Sequence, residues 1–169
     1  MLAGEEALRS HAFEEAIAHF EQGLAAHGSG RDTRVHAGLL FGIGRAQVST
    51  LADIDLQAVV DTLNSAFDIY TELGDSDSVV AVAEYPIPMA AGIHGAMRLT
   101  ERALTLIPED SHAAGKLLSL HGLWVWIEKQ DHELAVSQLD RALVTANQTD
   151  NSKCGLELIW HRCISGRID

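Results

Sequence analysis

Phe13-Glu14-Glu15-Ala16-Ile17-Ala18-His19-Phe20-Glu21-Gln22-Gly23-Leu24 sets a small residue, a large one four positions on, and a small one three after that along one stripe of a helix. The same order returns at Val59, Leu63 and Ala66, at Ala96, Thr100 and Ala103, and at Ala135, Leu139 and Ala142, with Val59 and Thr100 as imperfect members. Counted between Phe20, Leu63, Thr100 and Leu139, the copies lie 43, 37 and 39 residues apart. Small residues let a helix backbone approach its neighbour, and the large side chain between them fills the space left by that approach. The stripe is therefore what stacked antiparallel helix pairs need.

Outward from these stripes, apolar residues recur three and four apart, and strict apolar alternation is nearly absent, so the chain is expected to be all-helical. Turn chemistry is dense at 27–32, 49–55, 72–78, 85–88, 107–111, 129–131 and 147–152. The spacing between these breaks predicts helices of about 12 to 20 residues. Asp75, Ser76 and Ser111 stand where an N-cap would accept hydrogen bonds from unpaired amides.

The 169 residues suit one domain or a short repeat array with a sizeable core. A formal charge of −12 repels phosphate backbones and anionic headgroups, so neither nucleic-acid nor membrane binding is expected. At 47% hydrophobic residues the chain should fold. Cys154 and Cys163 form no CxxC pair and no disulfide framework, which points to a reducing cytoplasm. The amino terminus lacks a signal-peptide pattern, and no run of about 18 apolar residues could span a bilayer.

HAFEEAIAHFEQGLAAH, residues 11–27, resembles the second half of a tetratricopeptide repeat, with Gly4 and Ala7 fitting the first helix of that repeat. Gly44 followed by Arg45-Ala46-Gln47 fits the next first helix, and Pro108 after Ala103 matches the proline that closes a repeat. On this resemblance one domain spans 1–169, with repeats at 1–28, 31–73, 75–108 and 110–147 and a partial one at 150–169, where GLELIWHRC looks like a first helix. The chain departs from the pattern in its intervals, longer than the family's roughly 34 residues, in its single closing proline and in Thr100, which replaces an aromatic. HEAT or armadillo repeats fit an interval near 40 better, yet explain the small-large-small stripe less well. Long repeats with segments such as AFDIYTELGD and LDRALVTANQTD resemble the helical arrays of MalT/LuxR-type bacterial signal-transduction regulators and related ATPases.

The resemblance implies a right-handed α-α superhelix, a solenoid of antiparallel helix pairs with first helices on the concave side. It implies a non-enzymatic module without cofactor or metal that holds a protein or peptide partner in the concave groove. Its groove positions carry over to Phe41, Arg45, Val48 and Ser49 in the second repeat and to Lys116, Ser119, Leu123 and Trp126 in the fourth. The alternative is a domain that senses a small-molecule inducer inside the superhelix. The unpaired helix at 150–169 leaves an apolar end, so either more chain follows Asp169 or a second copy pairs there as a homodimer.

Chemical motifs are weak by comparison. Gly42-Ile43-Gly44 lacks the third glycine and the preceding strand of a dinucleotide loop, which leaves glycines at a close helix contact as the better reading; no Walker lysine is present. The nine histidines include no HxxxH or HExxH, and His11, His19 and His27 would be about 12 Å apart along one helix, too far to share an ion. No GxSxG elbow occurs, and the acid pairs Asp53/Asp55 and Asp75/Asp77 fall in turns suited to capping. Trp124 and Trp126 differ by about 200° on a helix, so only one can enter the core; the other is exposed or lines a groove. Tyr85-Pro86-Ile87-Pro88 predicts an extended step between the two helices of the third repeat. Gly92 and Gly95 are expected to weaken the start of the following helix, through close packing or as a hinge.

Overall fold

The computed structural model describes residues 1–27, 33–50, 55–88 and 92–148, and every regular element among them is helical. The chain divides into two compact units, Met1–Pro88 and Met89–Asp169. The first holds α1 (Leu2–Arg9), α2 (Phe13–His27), α3 (Thr33–Ser49), α4 (Leu56–Glu72) and α5 (Ser76–Ala83). The second holds α6 (Ala96–Leu104), α7 (His112–Trp124), a π-helical turn at Val125–Lys129, and α8 (His132–Gln148). The partial repeat at 150–169, both cysteines and the end at which a second copy was expected to pair lie outside the described residues.

In the first unit each helix packs chiefly on its neighbours in the chain, and α1 also touches α3. The reason lies in the stripes. Phe20 is fully buried, and its ring tip meets two helical glycines: a Cβ on Gly4 would lie 2.5 Å from the ring and one on Gly42 2.6 Å from it. Only glycine on α1 and on α3 admits this ring, which thus joins three successive helices. Leu63 of α4 sits likewise on Gly44 of α3, 2.6 Å from where a Cβ would be, and Leu39 of α3 on Gly23 of α2 at 2.7 Å. The glycines of the apparent dinucleotide loop are accordingly contacts between helices.

The second unit repeats the rule once. Leu139 of α8 lies over Gly122 of α7, where a Cβ would meet the Ala135 carbonyl oxygen at 3.0 Å and Leu139 Cγ at 3.1 Å. The third stripe is different, because its large position is Thr100. Its buried hydroxyl makes a 3.0 Å hydrogen bond with His121 Nδ1 of α7 and donates to the Met97 carbonyl at 2.8 Å. Except for the half-buried Gly23, every member of all four stripes is buried.

Helix ends follow the local chemistry in part. Asp75 caps α5, accepting from the Ser78 amide at 3.3 Å, and Ser111 Oγ caps α7 by accepting from the Ala114 amide at 3.1 Å. Ser76 is the first residue of α5 and not its cap. Asp55 caps α4 through two 3.1 Å bonds from the Gln57 and Ala58 amides. Three helices are shorter than the spacing predicts, with eight residues in α1 and α5 and nine in α6. In α5 the cause is Pro86, which disfavours helix at Tyr85, so the chain leaves the helix after Ala83. The step over 85–88 is non-helical as expected, and the boundary between the two units falls at its end.

Gly92 and Gly95 correct another expectation. Both precede α6 with positive φ, +86° and +99°, and a Cβ at Gly92 would meet nothing within 4 Å. Their role is conformational, since they supply left-handed backbone that other residues rarely adopt. Close packing does not explain Gly92.

Candidate functional site

The residues singled out on α3 form a small connected cluster. Arg45 makes a two-pronged ion pair with Glu5 of α1, Nη1 to Oε1 at 3.0 Å and Nη2 to Oε2 at 3.3 Å. Its guanidinium carbon also stands 5.5 Å from the centroid of Phe41, one helical turn earlier. Phe41 in turn meets Tyr85 edge to face, with centroids 5.8 Å apart. The Tyr85 hydroxyl and the Ser49 hydroxyl both donate to the Arg45 carbonyl, at 3.2 and 3.0 Å. Arg45 is thus oriented by α1, by its own helix and by the segment after α5.

A cleft of about 320 Å³ opens beside this cluster, walled by Leu8, Phe13 and Tyr85 and bordered by Arg9, Arg45 and Ser49. His11 also borders it and holds a positive φ of +61° with its ring edge-on to Phe13. Arg45 and Phe41 remain partly accessible, whereas Val48 is buried and belongs to the core. Glu5 is the partner of Arg45 that sequence reasoning missed. It lies 40 residues from Arg45, and no local pattern announces the pairing.

In the second unit Lys116 is exposed and Leu123 half-buried. Trp124 is 5% exposed and Trp126 41%, so the two tryptophans do point to different environments, and Trp126 is the one at the surface. Trp126 sits within the π-helical turn, which Gln130 closes in a left-handed conformation at φ +56°. Ser119 is only 2% exposed, and its hydroxyl has no hydrogen-bond partner among the described residues. It lies four residues after Gly115 and three before Gly122, both of which face α8, so it occupies the buried α7–α8 face.

Two polar arrangements hold α6 in place. Glu128 of the π-helical turn reaches the first turn of α6, its Oε2 accepting from the Gly95 amide at 3.0 Å and its Oε1 from the Met97 amide at 2.7 Å. A carboxylate there satisfies orphan amides and complements the positive helix end. The second is the bond between Thr100 and His121. Burial holds the His121 imidazole below its ordinary pKa; the charge of Glu101 opposes the shift, while Lys129 and Arg141 add to it. Elsewhere, the hydrogen bond from the Ser78 hydroxyl holds Asp75 below the usual carboxylate range, with Arg34, its ion-pair partner, contributing less.

Among the described residues no group of three or more His, Cys, Asp or Glu is placed to hold a metal ion, and no helix is long and apolar enough to cross a membrane. The accessible features are an aromatic and cationic cleft on one unit and an exposed tryptophan and lysine on the other. No known protein family, curated protein or solved structure matches the chain.

Proposed function

We propose that this chain is a non-enzymatic protein-interaction module, built as a right-handed superhelix of tetratricopeptide-like helix pairs and acting within a cytoplasmic bacterial regulatory protein. The observation that carries the reading is the interlock of successive helices by repeated stripes, in which Phe20, Leu63 and Leu139 each fill the space above a glycine of a neighbouring helix. Packing that recurs along the chain is how repeat arrays build an extended surface for a peptide or helix.

The accessible contact residues are Phe41, Arg45 and Ser49 on α3 and Lys116, Leu123 and Trp126 on α7 and the turn after it. A partner carboxylate would compete with Glu5 for Arg45, and an apolar partner side chain would cover Trp126. Affinity capture from the source cell with the intact chain, compared by quantitative mass spectrometry with Arg45→Ala and Trp126→Ala, tests this. Specific proteins should be lost from both variants while far-UV dichroism is unchanged; an identical set of captured proteins would sink the proposal.

A second reading, a sensor for a small inducer, is favoured by the cleft beside Arg45, whose aromatic walls and guanidinium suit an anionic aromatic compound. It calls for a ligand-dependent rise in melting temperature that Arg45→Ala abolishes. No such rise across a metabolite panel would leave the interaction reading alone.

A further inference from the structure

We infer that the open groove along α8 is a docking site for an amphipathic helix with basic flanks, supplied by a partner protein. This goes beyond the proposed function and uses none of its contact residues, so either can fail alone. The groove measures about 790 Å³ and lies wholly within the second unit. Its apolar floor is Leu118 of α7 with Val136 and Val144 of α8, the two valines spaced as two helical turns lie on one face. Val144 is 57% exposed, and the described residues place nothing over it. A helix presenting apolar side chains at i, i+3, i+4 and i+7 would cover this floor.

The rim decides the charge of the occupant. Glu109 and Asp110 stand at the end before α7, and Glu133 and Asp140 follow along α8. Arg141 is the cation that borders the groove among the described residues, and His132 lies on its polar edge. Among the described residues four carboxylates against one guanidinium make the rim acidic, so lysines and arginines flanking the apolar stripe of a partner helix would be drawn to it. A second copy of this chain is the poorer occupant: each copy carries −12, and a two-fold contact would set the acidic rim against itself.

The test is a fluorescence-anisotropy titration of the full chain with a labelled synthetic helix carrying leucines at the four stripe positions and lysines on its flanks. Saturable binding is expected. It should weaken by about tenfold or more when the lysines are replaced by glutamate, when salt is raised towards 1 M, and in Val144→Glu or Glu133→Lys. Both substitutions fall on exposed side chains, and dichroism checks that the fold is kept. No binding, the result also expected if residues 149–169 of the chain occupy the groove, would overturn the inference. So would equal binding of the glutamate peptide, of a lysine peptide lacking leucines, or by Val144→Glu.

Discussion

Substituting Gly42 by alanine should destabilise the first unit, although alanine is the better helix former by about 1 kcal/mol. The new Cβ would stand 2.6 Å from Phe20 Cζ, roughly 1 Å inside a normal carbon contact near 3.6 Å. The ring cannot withdraw to solvent, because it is fully buried among Ala7, Ala16, Leu39, Ile43 and Ala46. Nor does Gly4 leave slack, since its own missing Cβ would lie 2.5 Å from the same ring. Overpacking of this kind costs about 1–3 kcal/mol, which exceeds the propensity gain through most of its range, so a net loss centred on about 1 kcal/mol and reaching about 2 kcal/mol is expected. Gly115→Ala in α7 is the control with the opposite sign. The nearest atom to its new Cβ would be Thr145 Cγ2 at 3.6 Å, an ordinary contact, so the propensity gain of up to about 1 kcal/mol should survive. Urea unfolding followed by dichroism, with hydrogen exchange read separately over α2–α3 and α7–α8, measures both. Phe20→Leu should shrink the penalty of Gly42→Ala, a coupling that a double-mutant cycle resolves. A Gly42→Ala protein as stable as the parent, or more so, would refute steric locking of the ring.

Acid should act on the second unit through His121. Its folded pKa lies below the unfolded value of about 6.5, so the unfolded chain binds the extra proton. The contribution of the neutral imidazole is therefore fully present above about pH 6.5 and is lost as pH falls from there through the folded pKa. His121→Leu should flatten that limb of a stability-against-pH curve while Thr100 keeps its bond to the Met97 carbonyl; an unchanged slope below pH 6.5 would count against it. Glu128→Ala removes both acceptors from the start of α6 and should raise hydrogen exchange across 96–104 by an amount equivalent to about 1.5–3 kcal/mol, leaving the first unit as it was. Ser119→Ala deletes a buried hydroxyl that has no partner among the described residues, so stability should hold or rise by up to about 1 kcal/mol; a loss above about 1 kcal/mol would refute the absence of a bond.

Much of the architecture was legible along the chain because the signals are local and periodic. The four-and-three spacing that recurs from Ala16 to Ala142 identifies the buried face of α2, α4, α6 and α8, and Asp75 and Ser111 announce the helix starts that they cap. The 200° separation of Trp124 and Trp126 requires different environments whatever lies around them.

Contacts between distant residues decided the rest. Nothing near Arg45 in the chain reveals that Glu5 faces it, nor does the WIEK segment disclose that Glu128 caps a helix more than thirty residues before it. Which tryptophan reaches the surface, and that Ser119 turns from an expected groove position into the α7–α8 face, depend on how the π-helical turn and α8 are set against α7. Periodicity can say that a side chain will be buried, because helical geometry repeats every few residues. Its neighbour there is chosen by the packing of whole helices, whose energy is shared among residues far apart in the chain.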